Sequence, residues 1–264
     1  MSDSESVLLR EQTGEVLLLR LNRPDKMNAI NNALTVALIE AFDSATKDKS
    51  VRVIGITGQG RGFCAGADFQ DTKAGDMFVD KLDELGDPGR LVNLIRIRCD
   101  KPVVAGINGV AVGAGLGLAM LADMRIASSA ATFNPGYARL ATSPDLGVSW
   151  TVPQALGHER AMRFFLEQEI LDANEALNIG MIGQIVEADS FEETFINYCQ
   201  KISEVAPIAA RQTKRLVTKI GLPADLDSHL VDELRLVNKG LRSADGKEAI
   251  KAVFKKTKPV FKGE

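Results

Sequence analysis

Histidine is almost missing from this chain, with only His158 and His229 in 264 residues. The two stand far apart in sequence and no cysteine or carboxylate cluster accompanies either, so the common zinc spacings are excluded and no metal ligand is assigned. Cysteine is equally sparse: Cys64, Cys99 and Cys199 are scattered and odd in number. That usage fits reduced thiols and an expected cytoplasmic location better than a disulfide framework. No apolar run approaches the length of a bilayer span, so no membrane partner is expected. The first residues, Met1 to Ser6, are polar and acidic, unlike a secretory signal or an arginine-rich transit peptide, and Phe261 to Glu264 is no Ser-Lys-Leu address.

An excess of positive charge is lacking too. With a net charge of -3 and a pI near 5.6, general binding to nucleic acid or an anionic membrane surface is not expected. Any polyanionic ligand must be met by local basic residues. The 45% apolar and 25% charged composition is that of an ordinary globular protein with enough length to bury a sizeable core.

What the chain does have is glycine in telling places. An apolar strand-like run from Pro102 to Ile107 is followed by Asn108 and by Gly109, Gly113, Gly115 and Gly117, then by the alanine-rich Leu118 to Ala122. A strand turning through glycines into a helix leaves backbone N–H groups free at the helix start, which outlines an anion hole. The same small residues also suit a plain packing turn. The spacing is not that of a nucleotide-binding fingerprint. A second small-residue turn, Gly58 to Asp68, follows an apolar strand over Val51 to Thr57, and two such turns can grip one oxygen from two sides.

The remaining pattern alternates strand, turn and helix up to about residue 190 without a letter-for-letter repeat. Val16 to Leu21 reads as a strand ending at Asn22-Arg23-Pro24-Asp25, a turn signal. Asn31 or Asn32 is expected to cap a helix whose Leu34, Ala37, Leu38, Ala41, Phe42 and Ala45 share a face. Residues 69–90 fit an amphipathic surface helix or a lid over an apolar ligand. Leu91 to Arg98 reads as helix and Met124 to Ala127 as strand. Four further helices are expected, over Phe191 to Glu204, Pro207 to Ile220, Ala224 to Leu241 and Asp245 to Lys256; Leu226, Leu230, Leu234 and Val237 form a stripe that needs a partner surface.

Taken together, Leu21-Asn22-Arg23-Pro24 through Asn28-Ala29, Phe63 to Asp68, and Asn108 to Asp123 resemble the enoyl-CoA hydratase/isomerase (crotonase) superfamily, in motif order and over almost the whole chain. The resemblance implies an α/β fold: a crotonase-like spiral of repeated ββα units over residues 1–190, with a C-terminal helical layer over 191–264 that serves oligomerisation into a trimer or hexamer. It implies an acyl-coenzyme A thioester as substrate and no separate cofactor. It also implies that the backbone N–H groups of Ala67 and Ala114 form an oxyanion hole, and that Lys26, Ala29, Ala65 and Asp68 line the coenzyme A wall. Lys255, Lys256 and Lys258, beside Phe254, fit either phosphate contacts or a solvated helix face.

The departures from that family are informative. Hydratases of the family carry two glutamates, because syn addition of water needs acid and base together. The corresponding positions here are Gly117 and Tyr137, which puts two-carboxylate hydration in doubt. Asp145, in Thr142-Ser143-Pro144-Asp145-Leu146-Gly147, resembles the acid of the Δ3,Δ2-enoyl-CoA isomerase branch, where one carboxylate shuttles one proton. Pro-Asp before a helix is also a common cap. Phe133, Tyr137, Leu140, Leu146 and Trp150 are expected to make an apolar surrounding for the acid, or ordinary core; Tyr137 and Trp150 are counted among the substrate-binding candidates. The alternatives are a hydrolase or dehalogenase-type reaction with Asp145 as nucleophile, for which Arg90 stands where a histidine base is needed, and an acyl-CoA-binding protein without catalysis.

Overall fold

The computed structural model describes residues 6–70, 85–220, 226–257 and 259. The chain opens with a hairpin of β1 (Leu8–Thr13) and β2 (Val16–Leu21), followed by α1 (Asn32–Lys47), whose Leu34, Leu38, Ala41, Phe42 and Ala45 are buried along one face. Asn31, not Asn32, is its cap: the Asn31 side chain accepts from the Leu34 amide at 2.9 Å. Three spiral turns follow. The first has β3 (Val53–Gly58), β4 (Gly62–Cys64) and α2 (Gly86–Asn93), which runs on into a π-helical stretch, Leu94–Arg98. The second has β5 (Val103–Ile107), β6 (Val110–Val112) and α3 (Ala114–Met120). The third has β7 (Met124–Ser128) and β8 (Thr132–Asn134), then α4 (Val148–Leu156) and α5 (His158–Glu167).

Each turn places its first strand in one sheet and its second in another. The larger sheet has the order β1-β2-β3-β5-β7-β10, with β10 at Gln184–Val186; the smaller is β4-β6-β8-β9, with β9 at Leu171–Asp172 leading into α6 (Ala173–Asn178). Apart from the β1–β2 and β8–β9 pairs the ladders are parallel. The strand-to-helix turn expected directly after Ile107 therefore contains an extra strand. Gly109 makes the crossing possible, because a Cβ there would stand 2.2 Å from the Arg61 carbonyl oxygen.

β3 and β5 are buried at every residue, as parallel strands covered on both faces must be. The main core lies on one face. On the other packs α7 (Phe191–Ser203), with Phe191, Phe195 and Cys199 against Val16, Leu18, Val53, Val104 and Ile126. Gly106 leaves room for the Phe195 ring, since a Cβ there would stand 2.7 Å from it; full burial of a ring of this size stabilises by roughly 1.5–3 kcal/mol. α7, just beyond the division expected at residue 190, thus packs on the sheet, and an outer layer of helices follows it.

That layer comprises α8 (Pro207–Ile220), α9 (Leu226–Arg242) and α10 (Ala244–Lys255). Leu230 joins the main core, while Leu234, Val237 and Leu241 pack with Ile250 of α10. Leu230, Leu234 and Val237 of the α9 stripe thus find partner surfaces within their own chain. The greater part of the 69–90 segment, read above as surface helix or lid, lies outside the described residues. Among the described residues no helix is long and apolar enough to cross a membrane.

Candidate active site

The two glycine-bordered turns lie against each other. After β4 the chain forms a parallel bridge with Ile30: the Ile30 amide donates to the Gly66 carbonyl at 2.7 Å, and the Asp68 amide donates to the Ile30 carbonyl at 2.8 Å. In this pattern the amide of Ala67, between them, points away from residue 30. After β6, Gly113 adopts φ 51° and ψ -121°, a conformation open to glycine, and Ala114 begins α3. As the first helical residue, Ala114 has no intrahelical partner for its N–H.

Two further glycines hold these amides near one another. A Cβ on Gly66, at φ 95°, would stand 2.9 Å from the Val112 carbonyl oxygen and 3.8 Å from the Ala114 nitrogen. A Cβ on Gly115 would stand 2.3 Å from the Cys64 carbonyl oxygen. Only bare backbone permits contacts this close.

Asp145 lies in the loop before α4 and is 9% exposed. Burial pushes its carboxyl up to about 6, while the Tyr137 hydroxyl and its own main-chain amide pull the other way. Tyr137 Oη donates to Asp145 Oδ1 at 3.0 Å. The capping role expected as an alternative is not adopted: α4 starts after Gly147 with no side-chain cap, and Asp145 offers Val148 its main-chain carbonyl at 3.0 Å. The carboxylate is therefore available for other chemistry. Leu146 at φ 48° and Gly147 at φ 71° turn the chain here.

A cavity of about 70 Å³ is lined by Ala67, Ala114, Tyr137 and Asp145, with Val237 and Leu241 of α9. It meets an outer groove of about 260 Å³ through shared walls at Ala65, Ala67, Phe69 and Leu140. Lys26, Ala29, Asp68 and Phe254 line that groove. Lys26 Nζ donates to Gln70 Oε1 at 2.7 Å, and the Asp68 carboxylate pairs with Arg23 at 2.8 Å. Trp150 lines neither space; it is half-buried against the main core. Lys255 and Lys256 are exposed at the end of α10, and Lys258 is outside the described residues. Arg90 pairs with Asp87 at 3.2 Å on α2.

Val237 and Leu241 were not expected at the site. Val237 belongs to the stripe visible in sequence and Leu241 extends it by one turn, but nothing in its spacing says what it covers. Gly240 seats α9 on the loop, since a Cβ there would stand 2.6 Å from the Ala141 carbonyl oxygen. Gly117 has a comparable part: a Cβ on it would stand 3.0 Å from Leu146 Cβ and 3.5 Å from the Asp145 carbonyl oxygen. The place that the resemblance gives to a first glutamate is filled by the Asp145 loop.

The two-sheet α/β spiral thus brings two glycine-bordered turns and a buried carboxyl to one cavity. The model of the Enoyl-CoA hydratase/isomerase family matches residues 11–264. The chain belongs to that family, whose members act on acyl-CoA. It is 32% identical to the 1,2-epoxyphenylacetyl-CoA isomerase of Escherichia coli over 98% of this chain and 99% of that protein. It is 34% identical to a probable enoyl-CoA hydratase of Rhodobacter capsulatus over 93% and 94% respectively. Its fold is similar to that of an enoyl-CoA hydratase/isomerase from Pseudoalteromonas atlantica, with a TM-score of 0.87 and 29% identity over 97% of this chain and 100% of that one.

Proposed function

We propose that this enzyme moves the double bond of a 3-enoyl-CoA to the 2-position, with Asp145 as its single base. One observation carries the reading: the buried Asp145 carboxyl shares a cavity with Ala67 and Ala114. The Asp145 carboxylate takes a proton from C2, and the electrons of that C–H bond pass into an enolate. The Ala67 and Ala114 amides hold the charge on the thioester oxygen, each worth ~2.7–4 kcal/mol when fixed in advance. Asp145 then returns the proton to C4. A base raised to about 6 is ionised at neutral pH yet basic enough to act.

The outer groove, with Lys26, Ala29, Ala65 and Asp68, is read as the channel for the coenzyme A portion, so no separate cofactor is needed. Gly117 and Tyr137 supply no carboxylate for activating water, which favours isomerisation over hydration. The exposed Ile208, Leu216 and Val217 of α8 support assembly into trimers or hexamers, to be checked by light scattering.

The test is conversion of a 3-enoyl-CoA by wild type and Asp145→Asn. Loss of a general base is expected to lower kcat by ~10²–10⁴-fold with little change in acyl-CoA affinity. Equal turnover by the two proteins would remove Asp145 from the mechanism.

A further inference from the structure

A carboxylate has two equivalent oxygens and turns easily about its last bond, so a base that must collect and return one proton gains from having one oxygen fixed. Tyr137 is placed to do this. Its hydroxyl lies 3.0 Å from Asp145 Oδ1, and the other oxygen takes no side-chain hydrogen bond among the described residues. The phenol is itself held firmly. It is 5% exposed, its ring meets Phe165 edge-on with centroids 6.3 Å apart, and its carbonyl accepts the Leu140 and Thr142 amides at 2.9 and 3.2 Å. On its other side, Tyr137 Cε1 stands 3.9 Å from where a Cβ on Gly113 would be. The ring therefore abuts the turn that presents the Ala114 amide, while the hydroxyl holds the acid.

We infer that Tyr137 is a positioning residue for Asp145: it occupies Oδ1 and leaves Oδ2 to take the C2 proton and give it back at C4. This rests on the reading of Asp145 as the base. Every atom balances without the phenol changing state: the C2–H bond breaks, Oδ2–H forms, and Oδ2–H breaks again as C4–H forms. Tyr137 keeps its proton throughout.

The surroundings leave the hydroxyl as the main polar influence on the carboxylate. α9 contributes the apolar Val237 and Leu241, α3 contributes Ala114, and the Thr142 hydroxyl donates to the Val237 carbonyl at 3.4 Å. Cys64, whose thiol burial pushes up to about 12, is neutral. Arg23 is engaged by Asp68. A donor to the charged form favours ionisation, so removing it must move the carboxyl further up.

Tyr137→Phe decides the matter. With a 3-enoyl-CoA, kcat is expected to fall about tenfold at near-constant KM, and the acid limb of kcat/KM to rise by about one pH unit, the scale of one charge-assisted hydrogen bond. Deuterium placed at C2 is expected to reach C4 less often, because a turning carboxyl exchanges it with solvent. An unmoved acid limb with full kcat would overturn the inference. A carbon-13 titration of the Asp145 carboxyl in both proteins, with circular dichroism to establish folding, gives a readout independent of turnover. Superimposable titrations overturn the positioning role, whereas an inactive wild type with displaced titrations counts against the base reading alone.

Discussion

Gly115 and Cys64 are in backbone contact: a Cβ added to Gly115 would stand 2.3 Å from the Cys64 carbonyl oxygen and 2.7 Å from the Cys64 Cβ. This joins the start of α3 to the end of β4 and, with the approach of Gly66 to Val112, keeps the two turns that carry Ala67 and Ala114 close together. The two amides proposed as donors come from different spiral turns, so a small shift between the turns alters the pair.

Gly115→Ala is accordingly expected to lower stability by about 1–3 kcal/mol, as overpacking does. It should also reduce kcat by ~10²-fold or more, the loss seen when one oxyanion donor is misplaced. Thermal melts and 3-enoyl-CoA turnover check both. Gly183→Ala serves as control, because its Cβ would meet only the Arg125 carbonyl oxygen, at 3.7 Å, and both properties should stay near wild type.

For the wild type, kcat/KM should fall tenfold per pH unit below about 6, the value to which burial raises the Asp145 carboxyl, and level off above it. An acid limb centred near the ordinary carboxylate value of ~3.9 would show that the group governing the rate is not this buried acid.

Asp145→Asn should stabilise the fold at neutral pH while lowering kcat by the ~10²–10⁴-fold expected for loss of a general base. The folded carboxyl holds its proton up to about 6, against a reference value of 3.8. Between those values the native state binds more protons than the unfolded one, so this group favours folding at low pH and loses that contribution as pH rises through about 6. The variant lacks that slope. Melting temperatures across this window, wild type against variant, should diverge as pH increases; parallel curves would count against a buried acid.

Gly117→Glu should not create a hydratase. The position faces Leu146 Cβ at 3.0 Å and the Asp145 carbonyl oxygen at 3.5 Å, so a longer side chain must displace the loop that holds Asp145. Isomerisation is expected to drop with no gain in water addition to a 2-enoyl-CoA. A measurable rise in hydration would mean that the loop yields more readily than its packing suggests.

Much of this architecture is written in local pattern. The spacing of Leu34, Leu38, Ala41, Phe42 and Ala45 specifies α1, and Asn31 its start, because a 3.6-residue period and a cap are short-range properties. The strand Val16 to Leu21 and the glycine-rich turns are equally local. The β6 strand was not evident: Val110 to Val112 is three residues long, and its status as a strand depends on pairing with β4 and β8, which are far away in sequence. Nearness to Asp145 in sequence puts Trp150 among the site candidates, yet on α4 it lines neither the cavity nor the outer groove. Val237 and Leu241 went unassigned because a helical stripe has the same spacing whether it covers a core or a ligand.

Residue order thus sufficed to establish the family, the alternation of strand and helix, and the chemical types available: small residues for bare amides, and one acid without the usual glutamates. Whether that acid would cap its helix or face a cavity was settled by packing. The left-handed bend at Leu146 and Gly147 withdraws the carboxyl from α4, Gly117 admits the loop, and Tyr137 and α9 enclose it. Contacts with residues from 8 positions away, at Tyr137, to 96, at Leu241 of α9, create the buried surroundings that raise its proton affinity; the Pro-Asp dipeptide does not.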